Sequence, residues 1–139
     1  MANLTISTFT PIQILDQESL YSAETFVAGN YVRVNTSGKA VLGNASSASE
    51  SLRGGLAAVE VTTAGEPVTI FKEGYADVGE ALAALNIGDP IYLSNTDGTL
   101  ATTAGTVVRM IGNVVAGWAS GSTADKLLYF NFKQKNEGY

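Results

Sequence analysis

A chain of 139 residues is long enough to bury one hydrophobic core, and this one contains neither cysteine nor histidine. Disulfides, thiolate metal sites and cysteine nucleophiles are therefore excluded, and the commonest general base and zinc ligand is missing. A formal charge of −5 with eight Lys and Arg argues against binding a phosphate backbone, which needs clustered positive charge.

No apolar run approaches the roughly 18 residues of a membrane span, and the start has neither a basic end nor a hydrophobic block. The expectation is a soluble chain made in a cytoplasm. The triplets opened by Asn3, Asn35 and Asn44 match the glycosylation pattern, and without a signal peptide they read as coincidence.

Residues 1 to 25 mix Thr, Ile, Ser, Phe and Pro without clear periodicity. They read as an arm with extended pieces at Leu4–Ser7 and Ile12–Leu15. Strand patterning begins at Glu24–Val27 and continues through Tyr31–Val34, which places Val32 and Val34 on one face. Asn35-Thr36-Ser37-Gly38 supplies a turn and Lys39–Leu42 returns. The small polar stretch 43–51 is a surface loop. Leu56–Thr62 and Pro67–Glu73, joined through Gly65, form the clearest hairpin. Val78–Leu85 alone favours helix, over barely two turns.

Then follow Ile91–Leu93, the turn Asn95-Thr96-Asp97-Gly98, Thr99–Ala101, a β-rich run from Val107 to Val115 broken at Gly112-Asn113, and a closing strand from Lys126 to Phe132. In that last strand Leu128, Phe130 and Phe132 fall on a core face. Leu127 and Tyr129 fall opposite and, with Tyr92 and Trp118, are candidates for a subunit interface.

One segment repeats. Ala28-Gly29-Asn30-Tyr31-Val32-Arg33-Val34-Asn35-Thr36-Ser37-Gly38-Lys39 is followed, roughly sixty residues later, by Ile87-Gly88-Asp89-Pro90-Ile91-Tyr92-Leu93-Ser94-Asn95-Thr96-Asp97-Gly98-Thr99. Ser94 is the extra residue that aligns the turns. Many short strands, close turns and 15 glycines predict an all-β fold, a compact barrel or sandwich with one short helix and an extended arm. The domain is expected over 26–139 and the arm over 1–25.

The search for chemistry is mostly negative. A Ser-His-Asp triad has no base here, and neither dinucleotide nor P-loop glycine patterns occur. Glu73, Asp77 and Glu80 around Tyr75 could form a carboxylate pair for glycoside cleavage, but acidic residues on a β surface are usually only solvated. Asn95-Thr96-Asp97-Gly98 offers oxygen ligands, yet it lacks the alternating acidic spacing of a calcium loop and reads as a plain turn. No catalytic residue, cofactor or metal is expected. A carbohydrate- or receptor-binding module using Trp118 as a stacking platform is the alternative.

Leu85-Asn86-Ile87-Gly88-Asp89-Pro90-Ile91-Tyr92-Leu93-Ser94, followed by Asp97-Gly98-Thr99-Leu100, is similar to a segment of the capsid decoration (cement) proteins of tailed bacteriophages. Arg53–Ala57, Gly65–Val68, Met110–Val114 and Leu128–Phe132 follow the same order, so the resemblance covers roughly residues 26 to 132. It implies a non-enzymatic, β-rich virion protein, a homotrimer on the head exterior, whose partner is the major capsid protein and which binds neither nucleic acid nor membrane. The arm would then reach the shell through Leu4, Ile6, Phe9, Ile12 and Ile14, adding a strand to an exposed edge. Removing residues 1–15 is expected to leave the domain folded.

Overall fold

Residues 3–117 and 126–132 are described by the computed structural model. In chain order the strands are β1 (Thr10–Tyr21), β2 (Tyr31–Val34), β3 (Ala40–Leu42), β4 (Gly54–Ala57), β5 (Pro67–Asp77), β6 (Pro90–Leu93), β7 (Leu100–Ala101), β8 (Met110–Ala116) and β9 (Lys126–Asn131), with one 3-10 turn at Gly79–Leu82. The fold is all-β, a single curled antiparallel sheet, and no helix among the described residues is long and apolar enough to cross a membrane.

Local chemistry sets the turns. In the β2–β3 hairpin the Asn35 side-chain oxygen accepts from the N–H groups of Ser37 and Lys39, both at 2.9 Å, and Gly38 takes φ 79°. In the β6–β7 hairpin Gly98 holds the corresponding left-handed position at φ 69°. A side chain there would strain the backbone, which is why each turn ends on glycine.

The sheet runs β3-β2-β4-β5-β9-β8-β6-β7, with β1 on the other edge of β5. Strand β5 is the spine. One edge pairs with β1 from Pro67 to Asp77, while the other is shared: Ile70 and Phe71 face β4, and Glu73 to Ala76 face β9. Lys72 lies between the two partners and bridges to Glu18 of β1 at 3.2 Å.

The repeat seen in the sequence extends over four strands. Strands β2-β3-β4-β5 and β6-β7-β8-β9 occupy the two halves of the sheet in mirrored order. Val32 pairs with Gly55 and Ile91 with Gly112, while Leu56 pairs with Phe71 and Asn113 with Tyr129. Gly29 N–H donates to Ala57 O at 2.9 Å, and Gly88 N–H to Val114 O at 2.8 Å. Val34 N–H donates to Arg53 O at 3.1 Å, and Leu93 N–H to Arg109 O at 3.0 Å. The halves meet where Glu73 pairs with Asn131, two residues that occupy equivalent places, so a local twofold axis passes between β5 and β9. Equal spacing of apolar and turn residues produces equal register, because a one-residue slip would turn every buried side chain outward.

Curling brings the ends of the sheet together. Gly98 N–H donates to Gly43 O at 2.7 Å, Ala45 N–H to Ser94 O at 2.8 Å, and Leu4 N–H to Leu100 O at 2.8 Å. One core fills the concave side, with Tyr31, Leu56, Phe71, Leu93, Leu128 and Phe130 among its members. A smaller cluster, containing Phe26, Val32, Val61 and Ile70, covers the opposite face of the first half. Val32 and Val34 both join that second cluster, as their alternation predicts.

Four expectations change. The N-terminal stretch is extended, but it is built into its own sheet: β1 is the longest strand and Leu4 belongs to the main core. The helix shrinks to a 3-10 turn because Gly79 enters it at φ 65° and two turns cannot offset the cost of nucleation. Strand β4 ends at Ala57, leaving Val59 exposed, while Gly112-Asn113 lies inside β8 with the bulge placed opposite, between Ile91 and Tyr92.

Candidate functional site

The residues expected to reach a capsid are mostly occupied within the chain. Leu4 is 9% exposed, and Ile6, Phe9 and Ile14 pack against the main core. Phe9 stacks on Phe71 with ring centroids 6.2 Å apart, and Ile12 is half-buried in β1. The strand addition expected on a neighbouring subunit is made on β5 of the same chain. Between the N-terminal segment and the two hairpins lies a cleft of about 330 Å³, bordered by Asn3, Thr5, Asn30 and Thr99.

The candidate subunit-interface residues separate. Cross-strand pairing of Tyr92 with Met110, and of Tyr129 with Asn113 and Tyr75, puts these side chains on the outer face of the second half, since directly opposed residues share a face. Tyr92 and Tyr129 are half-buried and Met110 is 61% exposed. Leu127 is a correction: alternation assigns it to this face, yet it is completely buried by its own chain and has no surface for a second copy. Trp118 lies outside the described residues.

The candidate carboxylates serve the framework. Glu73 accepts a 2.7 Å hydrogen bond from the Tyr129 hydroxyl, and Asp77 accepts from Gly79 N–H at 2.9 Å. They sit four residues apart on one strand, about 13 Å at 3.3 Å per residue. In the Asn95–Gly98 turn, Asn95 bonds the Thr106 N–H and hydroxyl, and Asp97 accepts from the Asn44 amide at 2.6 Å. No group of three acidic residues suited to a metal ion occurs among the described residues.

The Tyr129–Glu73 bond has a pH consequence. It pushes the Tyr129 hydroxyl above its ordinary value of 10.0, with burial adding to the shift, and burial raises Tyr31 as well. The folded chain holds both protons above the pH at which the unfolded chain releases them, so stability is full below pH 10 and falls as pH rises beyond it. The urea midpoint should drop as pH rises above 10, and Tyr129→Phe should flatten that fall. An equally steep decline in the variant would contradict the assignment.

Sequence reasoning missed a different place. All three arginines of this acidic chain gather around the buried ring of Tyr31, although they are dispersed in sequence. Arg33 forms a two-point pair with Glu50, at 3.3 and 3.0 Å, and Arg109 Nε donates to the Ser51 hydroxyl at 3.0 Å. Arg53 is the only non-glycine at positive φ among the described residues, at 61°. Arg53 and Arg109 both border a cleft of about 40 Å³, and Arg33 and Arg53 flank an open groove of about 610 Å³. The available signal was that Arg53 and Arg109 stand shortly before Gly55 and Gly112, the equivalent glycines of the repeat. No family model, curated protein or solved structure matches the chain.

Proposed function

We propose that this chain is a structural binding protein of a bacteriophage head, seated on the outer surface, where it holds neighbouring major capsid subunits together as a homotrimer. The observation that carries the reading is the outer face of β6, β8 and β9, where Tyr129 meets Tyr75 of β5 with ring centroids 5.0 Å apart and Tyr92 pairs with Met110. Tyrosine and methionine are enriched where proteins meet, and the segments that resemble decoration proteins supply these strands. With residues 3–21 docked in cis, this face takes over the role expected of the arm. Many weak contacts repeated by symmetry would give the holding strength, and no reaction is required.

Mass spectrometry of purified virions should find the protein near stoichiometric with the major capsid protein, and its absence from particles would end the proposal. Met110→Asp should leave the fold intact, because the side chain is largely exposed, and weaken assembly about tenfold by placing a charge in the contact. Sedimentation of the free protein and particle occupancy are the two readouts.

A further inference from the structure

We propose that the outer edge of β1 is a docking site for an extended, basic segment of a partner protein, which joins the sheet as a further strand beside residues 17–21. The two ends of the strand path are covered by the chain itself. At β7, Asn3 bridges Ala101 and Leu4 N–H donates to Leu100 O at 2.8 Å. At β3, Ser22 bridges Ala40 and Ala23 N–H donates to Ala40 O at 2.9 Å. Strand β1 pairs with β5 alone, so among the described residues its far side is the long edge left open.

The direction of the edge groups follows from the register. Ala58 N–H donates to Thr69 O at 2.9 Å, so the backbone groups of Thr69 point away from β1 and those of Val68 and Ile70 point towards it. Their partners on β1 are Leu20 and Glu18. Ser22 N–H, two residues further on, donates to Glu66 O at 2.9 Å and keeps the same parity. Alternation then turns the N–H and C=O groups of Gln17 and Ser19 outward, away from β5.

Unpaired edge groups are a template for another strand, and proteins usually blunt them with proline, charge or bulges. In β1 the blunting stops short. Pro11 and all three register shifts fall between residues 11 and 17, while residues 17–21 pair with residues 67–71 of β5 without a break. That regular run has the length of an ordinary strand, and the exposed Tyr21 at its end offers apolar surface to an added neighbour.

Charge selects the occupant. Strand β1 carries Asp16 and Glu18 and no basic side chain. Glu18 stays exposed although Lys72 bridges to it, and Asp16 lies across the ladder from another carboxylate, Glu73. A second copy would bring the same acids to the edge of a chain already at −5. Opposite charges facing each other across strands support a sheet and like charges weaken it, so a strand bearing Lys or Arg fits where a copy of β1 does not.

The test is amide hydrogen exchange of the full chain by NMR. The probe is a peptide of alternating lysine and valine, and the control is the same peptide N-methylated at every residue. The probe should slow exchange at Gln17 and Ser19 saturably, by about tenfold, and leave Glu18 and Leu20 unchanged because their N–H groups already face β5. The control keeps the charge and side chains but cannot extend a ladder, and it should protect neither amide. Ser19→Pro removes one outward donor, a change that edge strands tolerate, and Ser19→Lys places a positive charge at an exposed position. Both should bind the probe about tenfold more weakly. Equal protection by a glutamate–valine peptide would overturn the basic partner, and protection that rises with protein concentration alone would replace it with a second copy. Slow exchange at Gln17 and Ser19 in the free monomer, equal protection by the control, or undiminished binding in both variants would overturn the docking site itself. None of these readouts depends on the presence of a virion.

Discussion

Gly112→Ala is expected to cost more than about 3 kcal/mol, a large part of the roughly 5–15 kcal/mol that holds a domain of this size together. The residue sits in β8 opposite Phe130 of β9. A Cβ there would collide with the carbonyl oxygen of Tyr129, and would lie 2.8 Å from its carbonyl carbon and 2.9 Å from Phe130 Cα. These are backbone atoms of a paired strand, so no rotamer change relieves the clash, and β9 would have to separate from β8. Ordinary overpacking costs about 1–3 kcal/mol, and lost ladder bonds add to it. Gly55, the equivalent position in the first half, would carry a Cβ 2.6 Å from Phe71 O and should be affected in the same direction. Gly65→Ala is the control: it has open space but φ 101°, so only backbone strain of about 1–2 kcal/mol applies. Urea denaturation of the three variants orders them. A midpoint for Gly112→Ala at or above that of Gly65→Ala would refute the close-approach argument.

Removing residues 1–15 is expected to leave a chain that is marginally folded at best. The deletion takes Leu4 out of the core and strips Ile6, Phe9 and Ile14 from its edge. Burying such side chains fully contributes about 1.5–3 kcal/mol each. Even at half that value the four together approach the lower end of total stability. The cut also uncovers Gly74 to Asp77 of β5, whose unpaired edge invites association with other chains. Circular dichroism with urea should show a much lower midpoint, and size-exclusion chromatography should show aggregates. A truncated monomer that unfolds at the parent midpoint would show that the segment contributes no stability, as its reading as an arm requires.

The first 25 residues were hard to read because alternation in β1 is weak. Ile12 and Ile14 alternate, but Asp16 takes the next inward place and Leu15 is 50% exposed. Three register shifts along the β1–β5 pairing disturb the period further. An edge strand that buries only half-covered side chains leaves little periodic signal. Leu127 failed for the converse reason, since alternation gives a side chain's direction and says nothing of what covers it. The arginine cluster was invisible because Arg33, Arg53 and Arg109 belong to three separate strands or loops, and their proximity depends on how the sheet curls.

What the sequence determined alone is the local grammar. Asn35–Gly38 and Asn95–Gly98 make turns because their residues tolerate or stabilise turn geometry, and period-two runs such as Leu128, Phe130 and Phe132 specify a core face. It also carried the repeat, since spacing is a property of the chain. Tertiary structure decided the rest: which strand lies beside β5 on each edge, the meeting of both halves at Glu73 and Asn131, and the convergence of both arginine copies on Tyr31. Turns and alternation arise from forces between near neighbours in sequence. Strand order and curl are set by burying distant apolar surfaces together, which no local stretch of residues encodes.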